Sequence, residues 1–171
     1  DREGNQKAFL NILKESGVNT VRLKLWVNPT DDFDGLQKVK EFSQRLKGMG
    51  FRIWLTLHYS DTWADPGNQQ PPLQWQNYSF SVLQTTVRSY TQKVIQEIQP
   101  DFIQIGNEIN SGFLHPFGDR FTNKSQFLDL LARGIQAVRS ENTETKIILH
   151  FAGHENADGF FNEVNGLDYD I

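Results

Sequence analysis

Two carboxylate-bearing segments directly follow short apolar runs, and they set the chemical question for this chain. The first is Ile105-Gly106-Asn107-Glu108-Ile109-Asn110, entered from Phe102-Ile103-Gln104. The entering run is short, β-branched and preceded by Pro100-Asp101, the pattern of a buried strand rather than a helix. A carboxylate just past a strand end, beside an amide, is held in place by the sheet and suits a general acid or base. The same residues also fit a solvated loop glutamate, or one that caps the next helix.

The second segment runs from Leu57 to Gln69 and again follows an apolar run, Ile53-Trp54-Leu55-Thr56-Leu57. His58, Tyr59, Asp61, Trp63 and Asp65 crowd together, and Asp65-Pro66-Gly67 forbids a continuing helix. Polar hydrogen-bonders interleaved with aromatic rings suit a sugar. Rings stack on the apolar face of a pyranose, and carboxylates and amides take its hydroxyls. Trp63 also reads as a loop anchor tucked into a core.

These two segments, with Val21-Arg22-Leu23-Lys24-Leu25-Trp26-Val27-Asn28-Pro29, resemble the family 53 glycoside hydrolases, the endo-β-1,4-galactanases. The blocks stand in the family's order and at similar separations, from the helix before Val21 to Tyr169. An Asn-Glu pair after a strand is common among barrel hydrolases; the run from His58 to Pro66 is much narrower. The resemblance implies a secreted, periplasmic or cell-surface enzyme that cuts β-1,4-galactan, the side chain of pectin, with retention of configuration. It gives Glu108 the acid/base role and lets Asn107 bond the sugar 2-hydroxyl. It places the nucleophile after the barrel's seventh strand, outside this chain. Arg22 and His58 would hold that carboxylate charged, since an adjacent cation favours ionisation. Asp61 and Asp65 take substrate or structural roles. No cofactor or metal is implied, and the complete protein is expected to be a monomer.

Between these residues the apolar periodicity alternates between strand and helix. Lys7 to Glu15 reads as a helix with Phe9, Ile12 and Leu13 on one side. Val21 to Val27 alternates, with Arg22, Lys24 and Trp26 sharing one face. Leu36, Val39, Phe42, Leu46 and Met49 form a helical stripe closed by Gly50. Phe51 to Leu57 is a second strand, with Arg52, Trp54, Thr56 and His58 on one face. A helix through Val82 to Val94, a strand from Phe102 to Gly106, and a helix through Phe127 to Val138 follow. Lys146 to Phe151 makes a fourth strand and carries His150 inward as a substrate contact. A short helix at Phe160 to Val164 precedes Leu167 to Ile171, the start of a fifth strand. Trp26 and Asn28 end the first of these strands and line the same cleft; Trp75 reads as either a sugar platform or a helix staple.

Strands alternating with helices mean βα units and a parallel sheet. The chemistry-bearing residues all follow strands, where a (β/α)8 barrel keeps its site. Such a barrel needs about 250 residues, so residues 1–171 read as a partial catalytic domain; the resemblance implies that its strands are roughly strands 2 to 5, with their helices. Glu3, Glu15, Glu41, Glu97, Glu141, Glu144 and Glu163 fall on helices or helix ends and read as solvated.

Composition narrows the partners. A net charge of −4 with scattered Lys and Arg argues against nucleic acid and suits a neutral polysaccharide. The absence of cysteine excludes disulfides and thiolate-bound zinc within the chain. No window is apolar for long enough to span a membrane. The segment before Gln6 lacks a signal peptide's apolar core, so a leader is expected upstream or removed. Asn77-Tyr78-Ser79 and Asn123-Lys124-Ser125 fit the glycosylation pattern. Three other functions compete with galactanase. A different β-1,4-glycanase would share the Asn-Glu pair, and a metal-dependent hydrolase lacks the expected His-x-His. The third is a sugar-binding barrel without catalysis. The stretch Phe151-Ala152-Gly153-His154-Glu155-Asn156 departs from the family's pattern, which leaves the distal subsites open.

Overall fold

In the computed structural model, which describes residue 4 and residues 6–171, strand and helix alternate as the residue pattern requires. Helix α1 (Phe9–Glu15) leads to β1 (Thr20–Leu25), α2 (Leu36–Gly48), β2 (Arg52–Leu57), α3 (Phe80–Ile98), β3 (Phe102–Ile105), α4 (Lys124–Glu141), β4 (Lys146–Ile148) and α5 (Ala157–Val164). The strands form one parallel sheet in the order β1-β2-β3-β4. Sequential parallel strands joined by helical crossovers are the repeating unit of a (β/α)8 barrel.

Side-chain alternation divides the sheet into two faces. Leu55, Leu57, Ile103, Ile105 and Ile147 are fully buried beneath the helices. Each contributes about 1.5–3 kcal/mol by leaving water. On the other face the register aligns Lys24, Thr56, Gln104 and Ile148 in one row, with Arg22, Trp54, Phe102 and Lys146 below it. This second face is polar near the carboxyl ends of the strands, so the sheet carries its chemistry on the side away from the helices. Helices α3 and α4 pack side by side. Gly134 on α4 lets that helix come close to the sheet, because a Cβ there would lie 3.0 Å from Ile105 and 3.2 Å from the Tyr59 hydroxyl.

Several boundaries differ from the periodicity. β1 ends at Leu25, because the Trp26 N–H turns to the Asp34 carbonyl at 2.9 Å and the Val27 N–H to that of Ser60 at 2.8 Å. β4 stops at Ile148. The expected fifth strand is present only as its first ladder bonds: Asp170 N–H to the Ile147 carbonyl at 2.9 Å and Leu149 N–H to the Ile171 carbonyl at 2.9 Å. On α1 the packing face is Leu10 and Leu13, while Phe9 is exposed. Trp75 is buried edge-on against Tyr90, with ring centroids 5.6 Å apart, which makes it a staple over α3 and not a sugar platform. Glu163 is not a solvated face residue: Arg120 grips it through two bonds of 2.9 and 3.1 Å. Glu3 lies outside the described residues.

Candidate active site

The turn after β3 is built to present one carboxylate. Gly106 and Glu108 both sit in the left-handed region, with φ of 77° and 49°. A Cβ on Gly106 would fall 2.5 Å from Ile109, so glycine is required there. Glu108 pays for its own left-handed backbone, a strain that tends to mark functional positions. Neighbouring segments hold several of the loop's backbone groups. Buried Gln69 donates to the carbonyls of Asn107 (2.9 Å) and Glu108 (3.1 Å), and the Ile109 N–H donates to the His150 carbonyl at 3.0 Å. Glu108 itself is half-buried, and its carboxylate bonds to no described residue.

Asn107 is the hub of a polar network. Its Oδ1 accepts from Arg22 at 2.8 Å and from Gln104 at 3.2 Å, and its Nδ2 donates to the Ala64 carbonyl at 2.8 Å. Two donors on Oδ1 fix the orientation of the amide, and one Nδ2 hydrogen has no partner among the described residues. Arg22 also donates to Thr56 (2.9 Å) and Gln104 (3.1 Å) and stacks over Trp54. Burial lowers the Arg22 pKa, and the nearby charge of Glu108 opposes that shift. This pairing across three strands brings Arg22 and Glu108 into one electrostatic environment.

His58 directly follows β2 and is almost fully buried. Its Nδ1 accepts the Ala64 N–H at 3.0 Å, which leaves the proton on Nε2, a buried donor with no partner among the described residues. Desolvation, with Arg22, Lys24 and His150 adding to it, pushes the His58 pKa down to about 4. The Trp26 indole N–H is a second buried, unpartnered donor, and its ring meets His58 edge-on at 6.3 Å. Trp63 lies 5.1 Å from the His58 ring and remains 44% exposed, so it is a cleft ring rather than a core anchor. Lys24 caps both indoles, at 4.6 and 5.9 Å, and pairs with Asp34. His150 Nδ1 stands 3.3 Å from both the Glu108 N–H and Asn107 Oδ1. The N–H is a fixed donor and Oδ1 already has two, so Nδ1 accepts; burial, then Arg22, lowers its pKa.

The expected residues therefore gather, with different tasks. Arg22, Trp26, His58, Trp63, Asn107, Glu108 and His150 form one cluster at the carboxyl ends of the strands. Asp61 spends one oxygen on the Asn28 N–H and the other on the Leu73 N–H, both at 2.9 Å, and so ties two loops together. Asp65 closes its own turn on Gly67 at 2.9 Å. Tyr59 turns away, its φ of 51° sending the ring into the helical layer, where its hydroxyl meets Thr91 at 2.7 Å. Gln69 and Arg120 were not foreseen; Gln104 was visible only as the polar member of an apolar strand. A hollow of about 730 Å³ borders the cleft along the free edge of β1, with Arg22, Lys24, His58 and Trp63 on one side and Phe33, Val39 and Phe42 on the other. Its apolar wall comes from α2 and the loop before it. Among the described residues no cluster of His, Asp and Glu could hold a metal ion.

The low His58 pKa has a measurable consequence. From about pH 6.5 down to about 4, the unfolded chain binds a proton that the folded chain refuses. Stability is therefore full above the unfolded value and falls with pH across this window, by roughly 3 kcal/mol at most. We expect His58 to stay neutral to about pH 4 in an NMR titration. The His58→Gln variant should flatten the acid limb of urea-denaturation stability. A His58 titrating at or above the ordinary histidine value would contradict the burial and the Ala64 bond.

A free carboxylate and an exposed indole, at the carboxyl ends of consecutive parallel strands, define part of a (β/α)8-barrel protein. The chain belongs to glycosyl hydrolase family 53, whose family model matches residues 1–171. It is 37% identical over 154 residues to arabinogalactan endo-β-1,4-galactanase A of Emericella nidulans, which covers 86% of this chain and 44% of that protein. It superposes on a family 53 catalytic domain from Ignisphaera aggregans with a TM-score of 0.91 at 36% identity, covering 98% of this chain and 51% of the other. A fungal β-1,4-galactanase gives 0.87 at 32% identity, covering 95% and 51%. The chain thus spans about half the length of these relatives, and its fold is part of a (β/α)8 barrel.

Proposed function

We propose that the full-length protein is an endo-acting, retaining β-1,4-galactanase in which Glu108 is the acid/base. The observation that carries this is the Arg22–Asn107–Glu108 array: a free carboxylate on a rigid turn, beside a fixed amide and a cation. The galactanase relatives support galactan as the substrate, and exposed Trp63 over His58 supports a stacked pyranose.

In this mechanism Glu108 protonates the glycosidic oxygen as a second carboxylate attacks the anomeric carbon, and the C–O bond to the leaving sugar breaks. Glu108, now ionised, takes a proton from water, whose oxygen displaces the enzyme carboxylate and restores the original configuration. Retention sets the two carboxyl groups about 5–5.5 Å apart. The second carboxylate belongs to the part of the barrel that this chain does not span. The unpartnered N–H groups of His58 and Trp26, with Arg22, suit it as donors and keep it ionised. Acting on a wall polymer places the enzyme outside the cytoplasm, secreted, periplasmic or at the cell surface.

The test uses the full-length protein on β-1,4-galactan, β-1,4-mannan and carboxymethylcellulose, with proton NMR of the first products. Galactan should be cut internally, and the first new reducing ends should be β. Preference for another glycan would overturn the substrate, and first products of α configuration would overturn retention.

A further inference from the structure

A second groove, of about 810 Å³, opens next to the Glu108 turn. Its walls include Asn110 and Ser111 from that turn, Phe121 from the loop before α4, and Phe151, His154 and Glu155 from the loop after β4. Phe121 is 74% exposed, on a backbone held by its neighbours. Its backbone N–H and that of Thr122 donate to Asp119 Oδ1 at 2.8 and 2.9 Å. Behind the ring, the Arg120 guanidinium lies between two aromatic rings, 5.3 Å from Phe121 and 5.2 Å from Phe160. Arg120 is itself nearly buried and held by Glu163, whose pKa it lowers. The same arginine reaches the Glu108 turn: its Nη1 donates to the Asn110 carbonyl and its backbone N–H to that of Ser111, both at 2.9 Å.

An aromatic ring whose one face is backed by a clamped cation, and whose other face is open to water, is a preorganised stacking surface. The Arg120 cation behind it favours this ring position, which lowers the ordering cost of stacking. The polar residues around it match a ligand with an apolar face and a rim of hydroxyls. His154 and Glu155 are both exposed and offer a donor and an acceptor.

We infer that this groove is a sugar subsite on the leaving-group side of the cut, with Phe121 as its stacking platform and Arg120 as the positioning residue beneath it. The inference rests on the galactanase reading. An acid must face the oxygen of the leaving sugar, so the wall continuous with Glu108 runs beside the leaving portion of the chain. Arg22, His58 and Asn107 lie on the opposite side, toward β1 and β2.

The experiment uses the full-length protein and its Phe121→Ala and Phe121→Trp variants. Two substrates are compared: β-1,4-galactotetraose, and a dinitrophenyl β-galactoside whose leaving group is no sugar. Binding of the tetraose is measured by calorimetry in the Glu108→Gln background. Phe121→Ala should weaken tetraose binding and kcat/KM by about tenfold, on the scale of one aromatic stacking contact. It should leave the aryl galactoside within twofold, and Phe121→Trp should restore tetraose use. Equal losses on both substrates, or no change in tetraose binding, would overturn the subsite. Wild-type protein that binds the tetraose through Phe121 but does not cut galactan would overturn the galactanase reading alone. Absence of any tetraose binding would overturn both.

Discussion

Glu108→Gln in the full-length protein is expected to lower hydrolysis of β-1,4-galactan by about 10²–10⁴-fold, the usual contribution of a positioned proton donor. The loss depends on the leaving group. A galactosyl leaving group is a poor one and needs its oxygen protonated; a dinitrophenolate leaves unaided. Formation of the glycosyl-enzyme from the aryl galactoside should therefore survive, while its hydrolysis, which needs Glu108 as base, should stall. Azide needs no base, so its addition should restore turnover and yield β-galactosyl azide. The structure makes the amide a fair replacement. The Glu108 carboxylate bonds to no described residue, and its turn is held by backbone contacts to Gln69 and His150. Losing the charge should therefore not move the loop. An equal loss on both substrates with no azide product would remove Glu108 from the acid/base role.

How much of this site was legible in the sequence follows from how local each feature is. Strand alternation puts Arg22, Thr56, His58 and Gln104 on one face, because the period of two is a property of the backbone. The network among Arg22, Thr56 and Gln104 needs only that common face, and it is present. Glu108 was visible for a similar reason, since a carboxylate after a buried strand sits where a barrel opens. Tyr59 was misplaced because alternation fails at a left-handed residue. Trp75 could not be assigned, as a ring beside two prolines packs inward or outward with no local sign. The clamp of Arg120 on Glu163 joins residues that are distant in sequence and follow no periodicity. Gln69 likewise has no local signature, because its task is to satisfy carbonyls that lie far along the chain.

Gly106→Ala should couple stability to activity through one atom. The backbone there has φ of 77°, and the added methyl would sit 2.5 Å from the Ile109 side chain. Left-handed backbone costs a side-chain-bearing residue about 1–2 kcal/mol. Forcing a methyl into a filled core adds about 1–3 kcal/mol. A total loss of roughly 2–5 kcal/mol is expected in urea unfolding of the full-length protein, reduced by less than 1 kcal/mol through the stiffer unfolded chain. Ile109 is fully buried, and relieving the contact means moving it or the turn. Because Asn107 and Glu108 lie between the two, displacement of the turn by about 1 Å should cost around 10²-fold in kcat/KM. The cause can be separated by a double-mutant cycle. Ile109→Ala alone opens a cavity and costs about 2–5 kcal/mol. Combined with Gly106→Ala it gives the methyl room, so the pair should be less destabilised than the sum by about 1–3 kcal/mol. Strict additivity would show that the methyl does not meet Ile109, leaving the backbone angle as the whole penalty. Full activity in Gly106→Ala would show that the turn does not position Glu108.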